Sequence, residues 1–223
     1  MYKWIIENRE IFKIFYGILI TLICTVIAVQ ADRLFRLSLH QGIRYFRNSF
    51  LFFALAFITR FFFGLESLGG IFPYPIIKFV FEFFIIMAGF FLLYSLLWRK
   101  IETEGKNYFS SLFNPIIILF YLVTLSIVIL DYFSNTYFLM FLSQIIVFST
   151  ALIISITNQF KNEKRSKFLK FYSLAMLLSL GGWILNALVA KYLEWNHIFL
   201  INIYAINIII FLLILCGVIK AMR

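Results

Sequence analysis

A chain of 223 residues that is 63% hydrophobic and 13% charged, with mean hydropathy +0.97, departs from a water-soluble domain, in which about a quarter of residues are charged. At about twenty residues per crossing, this length holds one transmembrane domain and no folded aqueous one. The formal charge of +10 would suggest nucleic acid in a soluble protein; here it points to basic loops facing anionic lipid, and no nucleic-acid partner is expected.

Apolar runs of spanning length fall near 12–31, 49–66, 75–98, 115–131, 137–157, 168–190 and 197–219. They predict an all-α fold, a polytopic bundle of seven transmembrane helices in a single domain over residues 1–223. The first run, preceded by Lys3 and Lys13 and followed by Val29-Gln30-Ala31, has the outline of a cleavable signal peptide. Cleavage would leave Arg33, Arg36, Arg44 and Arg47 outside, against the positive-inside bias, so the run is read as a retained first helix.

In the connection that follows, Arg33, Arg36, His40, Arg44 and Arg47 recur at steps of three and four, with Leu34, Phe35, Ile43 and Phe46 between them. One reading is an amphipathic interfacial helix with its arginines on anionic headgroups. The plainer reading is that helix one overshoots the bilayer and turns at Gly42, the arginines only obeying the topology rule.

The hairpin between the second and third runs carries Arg60, Glu66, Lys78 and Glu82. Ionisable groups in lipid are costly and persist when paired, turned to a bundle interior, or lining a wet cavity. Lys78 and Glu82, four apart, share a helical face. The four form either a structural ion-pair network or a polar pocket that binds a small ligand or ion from outside. Gly69-Gly70 mark the turn.

Pro73 and Pro75 before the third run and Pro115 at the fourth sit where a helix can begin, with Asn114 as a cap; a start near Tyr108 with a kink at Pro115 is the alternative. Asp131, Gln144, Asn186, His197 and Asn202 fall in the outer halves of their helices, and with Asn207 they would enlarge a pocket if turned inward. The asparagines serve equally well as interhelical hydrogen bonds of about 1 kcal/mol each. Gly181-Gly182 suits close helix contact or a kink. Cys24 and Cys216 differ in expected depth by roughly 10 Å, which argues against a disulfide.

Lys and Arg orient the chain. They gather at 33–47, 99–106, 161–170 and the C-terminal tail, whereas the opposite side holds Lys3, Arg9, Lys13 and Lys191. The N-terminus is therefore expected outside and the C-terminus in the cytoplasm of an integral cell-membrane protein. Helices one to three also share a layout with helices five to seven. Phe52-Phe53-Ala54-Leu55-Ala56 aligns with Phe171-Tyr172-Ser173-Leu174-Ala175, about 119 residues further on, an expected 3+1+3 internal repeat.

The segment Arg44-Tyr45-Phe46-Arg47-Asn48-Ser49-Phe50-Leu51-Phe52-Phe53-Ala54-Leu55-Ala56-Phe57 resembles the start of the second helix in small prokaryotic seven-helix membrane domains, which are often fused to histidine kinases as sensory modules. The resemblance implies a sensory role. Because the chain ends at Arg223 with no kinase, a cytoplasmic or membrane partner would have to supply the output.

Enzyme signatures such as a nucleophile elbow, HExxH or a P-loop are absent, and two histidines cannot build a His-rich metal site. No catalytic residue, cofactor or metal is assigned. An opsin-like Schiff base is excluded because the only lysine of helix seven, Lys220, lies at its cytoplasmic end. Three functions remain: a sensory or accessory module with an outward-facing polar pocket, a small-solute or ion transporter of 3+1+3 layout, and a lipid-modifying enzyme using Glu82 or Glu66 as acid or base. The apolar inner halves weigh against the transporter and the sparse titratable groups against the enzyme, so the module ranks first.

Overall fold

The computed structural model describes residues 9–66, 74–101, 115–134, 136–161, 167–192 and 197–221. Among these residues it is all-α, with seven helices: α1 (Arg9–Ser38), α2 (Gln41–Glu66), α3 (Tyr74–Ile101), α4 (Pro115–Ser134), α5 (Phe138–Lys161), α6 (Lys167–Tyr192) and α7 (His197–Ala221). All but α2 are long and apolar enough to cross a membrane. Their outward faces carry Phe15 and Leu22 on α1, Leu122 and Leu130 on α4, Ile146 and Ile153 on α5 and Leu177 on α6, all exposed. Apolar surface on this scale is stable against lipid and not against water.

Six helices close into a ring. α1 packs on α2 and α7, α2 on α3, α3 on α5, α5 on α6, and α6 on α7. α4 stands outside, against α3 and α5. Burial explains the difference: α4 buries only the stripe Ile117, Thr124, Val128 and Asp131, whereas α3 buries residues on nearly every side, from Ile77 to Tyr94. Close helix approach depends on small residues and on polar bonds that replace water. Ser49 Oγ donates to the Ala88 carbonyl at 2.7 Å between α2 and α3. At Gly89, where α3 meets α5, an added Cβ would lie 2.8 Å from Gln144 Oε1.

The first connection corrects one expectation. α1 continues to Ser38 and α2 begins at Gln41, so there is no separate interfacial helix: Arg33 and Arg36 end α1, and Arg44 and Arg47 open α2. The turn falls at Leu39, in the left-handed region at φ 52°, with its N–H on the Phe35 carbonyl at 2.7 Å. Such a conformation costs a side-chain-bearing residue about 1 kcal/mol. Gly42 is not the turn. It lies inside α2, and its bare Cα admits Trp98, whose indole nitrogen would be 2.5 Å from a Cβ.

Pro75 and Pro115 occupy first-turn positions of α3 and α4. Gly69, Gly70, Pro73, Tyr108 and Asn114 lie outside the described residues. A Cβ added at Gly182 would lie 3.6 Å from Asn207 Oδ1 of α7, whereas one added at Gly181 would meet nothing within 4 Å. Both cysteines are free.

Candidate functional site

The ring encloses a cavity of about 320 Å³. All six ring helices line it and α4 does not. Its polar side chains gather toward one end, the end where α1, α3, α5 and α7 begin. Tyr16 on α1, Arg60 on α2, Asn186 on α6 and Tyr204 on α7 each sit about two turns in from that end. Lys13, Tyr74 and Tyr137 line the cavity closer to the helix starts. Beyond this belt the wall is Phe50, Phe53, Phe148, Met176 and Ile214, with Ser179 a polar exception.

Arg60 is the centre of the belt. Its Nη2 donates to the Tyr204 hydroxyl at 2.8 Å. Its guanidinium carbon lies 5.0 Å from the Tyr204 ring, 5.6 Å from Tyr16 and 5.8 Å from Phe81. Tyr16 and Tyr204 stack with centroids 4.3 Å apart, and Asn207 Nδ2 donates to the Tyr16 hydroxyl at 3.1 Å. Cation–π attraction, stronger where water is excluded, holds the guanidinium in this aromatic cage. Of the four charges, Lys78 and Glu82 approach each other, whereas among the described residues Arg60 makes no ion pair and its contacts are aromatic.

Lys78 and Glu82 are a separate pair, 4% and 1% exposed. Lys78 Nζ lies 3.8 Å from Glu82 Oε1, donates to the Thr136 carbonyl at 2.9 Å and sits 4.4 Å from the centre of the Tyr137 ring. Neither Glu82 oxygen accepts a hydrogen bond among the described residues. Neither residue lines the cavity. Glu66 ends α2, and its side chain is outside the described residues, as is that of His197 at the start of α7.

Three expected pocket residues serve otherwise. Asp131 is fully buried and caps α5: Oδ1 accepts from the Leu139 N–H and the Thr136 hydroxyl, both at 3.1 Å, and Oδ2 from the Met140 N–H at 2.7 Å. A carboxylate there satisfies N–H groups that a helix start leaves open and complements its dipole. Gln144 is also fully buried, its Nε2 3.3 Å from the Ile85 carbonyl, between α3 and α5 instead of in the cavity. Asn202 is exposed on the outer face of α7. Asn186 and Asn207 do line the cavity; Asn186 Nδ2 also donates to the Gly182 carbonyl at 2.9 Å.

At the opposite end, Asp32 binds Arg36 at 2.9 Å and Arg47 at 2.5 Å. Arg33 is exposed, and Arg44 lies 6.0 Å from the centre of the Phe35 ring. The basic turn is thus partly neutralised from within. Tyr16 and Tyr204 were not singled out by sequence. The available signal was a phenol inside an apolar run, since a buried hydroxyl needs a partner.

No family model matches the chain, and no solved structure matches it. It is 28% identical over 221 residues to an uncharacterized protein of Archaeoglobus fulgidus, covering 92% of this chain and 90% of that one.

Proposed function

We propose that this protein is a membrane-embedded ligand-binding module, sensory or accessory in role, with seven crossings and a pocket opening at its N-terminal end. The observation that carries the reading is the cavity at the ring centre, polar at one end and apolar beyond. Sites of this kind, mostly apolar with a few convergent polar groups, are the usual form of small-molecule pockets. The Lys and Arg distribution supports an outside N-terminus, with Arg33, Arg36, Arg44 and Arg47 toward anionic headgroups on the cytoplasmic side. A cytoplasmic or membrane protein partner would receive the state of the pocket.

A second reading, a 3+1+3 carrier, draws on a specific correspondence. α2 and α6 each stand between two partners of their own triplet, and α4 is outside. At the offset that aligns Phe52 with Phe171, Phe57 falls on Met176 and Arg60 on Ser179, and all four of these last residues line the cavity. Lipid modification has no comparable support, because no carboxylate among the described residues lines the cavity.

Access separates the two readings. In a background with Cys24→Ala and Cys216→Ala, Asn186→Cys and Ser179→Cys are treated with a membrane-impermeant thiol reagent in vesicles of known orientation. The module predicts labelling of Asn186→Cys from outside only. Labelling of Ser179→Cys from both sides favours the carrier, and protection of both positions from both sides removes the pocket reading.

A further inference from the structure

Resting on that pocket reading, we infer that the ligand is an amphiphile with an oxyanion head, carboxylate or phosphate, and a single apolar tail. The donors converge in one belt. Arg60 offers five N–H donors in a planar fork suited to two-oxygen acceptors, and one of them is engaged among the described residues. The Tyr204 oxygen accepts from Arg60 and the Tyr16 oxygen accepts from Asn207, which leaves each phenol its own proton to donate.

A cationic head is disfavoured for two reasons. The aromatic faces that would receive it are occupied by Arg60, and among the described residues no carboxylate lines the cavity, Glu82 being turned to Lys78. Among the described residues the partly buried Arg60 guanidinium has no acidic partner, a costly state in a membrane, and an anionic head supplies a counter-charge.

The tail follows from the rest of the cavity. Along α2 the wall from Arg60 through Phe57 and Phe53 to Phe50 runs for about 15 Å. Phe148 and Met176 face the same space. At about 320 Å³ the cavity is at the small end of ligand pockets, room for one chain and not for a two-chain phospholipid.

The test uses the full chain in phosphatidylcholine nanodiscs with Trp183 as the only tryptophan (Trp4, Trp98 and Trp195→Phe), because Trp183 lines the cavity. Probes are tail-brominated dodecanoate, dodecyl phosphate and dodecanol, with inorganic phosphate as the tailless anion, read by saturable quenching or competition. Both anionic amphiphiles should bind at least about tenfold more tightly than dodecanol, and inorganic phosphate should not compete. Dodecanoate binding without dodecyl phosphate binding, or the reverse, identifies which oxyanion the belt accepts. Arg60→Gln should erase the preference for the anion, Arg60→Lys should retain part of it, and Asn202→Ala should leave it unchanged.

Dodecanol binding equal to dodecanoate in the protein with Arg60 intact overturns the oxyanion head, whether or not the Arg60 variants fold. Competition by inorganic phosphate alone overturns the tail. Absence of binding by every probe, with Asn186→Cys still labelled from outside, rejects this ligand class and leaves the pocket; loss of the labelling as well rejects both.

Discussion

Arg60 and Lys78 show two solutions to one problem, a cation within an apolar bundle. Arg60 is delocalised and weakly hydrated, and it tolerates an environment of rings and one phenol. Lys78 is a compact charge, and it lies beside Glu82 and a backbone carbonyl. Removing one member of a buried pair leaves the other uncompensated, whereas replacing both with apolar residues is often tolerated. Glu82→Leu alone should therefore cost roughly 3 kcal/mol. The double change with Lys78→Met should cost clearly less, a coupling read from a double-mutant cycle on unfolding in detergent. Equal losses in the single and double variants would show that the pair is not coupled.

At the scale of the element, α5 starts where it does because α4 supplies its cap. Phe138 opens the helix, and Asp131, one link back, takes the N–H groups of Leu139 and Met140. A cap is worth about 1 kcal/mol, and burial makes its loss more costly. Asp131→Ala should lower stability by about 1–2 kcal/mol and speed hydrogen exchange at Leu139 and Met140. Asp131→Asn, which keeps one acceptor oxygen, should lose less. Exchange at those two amides unchanged in Asp131→Ala would show that the cap does not hold the helix start. Tyr137, next to this start, joins Tyr74 of α3 through their hydroxyls at 2.7 Å, so the same cap also steadies residues lining the cavity.

For the whole molecule, the ring places the polar belt and the basic turn at opposite ends. If the positive-inside bias orients the bundle, the cavity faces outward. Cysteines at Ser134 and Ser166, each alone in the background lacking Cys24 and Cys216, check this. Ser134→Cys should label from outside and Ser166→Cys from inside. The reverse pattern would invert the orientation, and with it the side from which a ligand arrives.

Helix limits were legible in the sequence because their causes are local. Pro75 and Pro115 open helices whichever way those helices face, and apolar length is read directly from composition. The expected runs and the observed helices differ chiefly at α1 and α2, where the arginines made the sequence read as a connection although the helices continue through them. The spacing of Lys78 and Glu82 likewise placed them on one face in advance. Which face turns inward was not legible. In lipid the packed and exposed sides of a helix are both apolar, so periodicity no longer distinguishes them. Asn202 and Asn207 look alike in the sequence, yet one is exposed and the other binds Tyr16 in the cavity wall. The cage around Arg60 joins residues 144 positions apart, and the Tyr16–Asn207 bond residues 191 apart. Composition and local chemistry determined the membrane class and the helix limits. The ring, by closing α7 onto α1, decided that Arg60 meets two tyrosines while Glu82 lies beside Lys78.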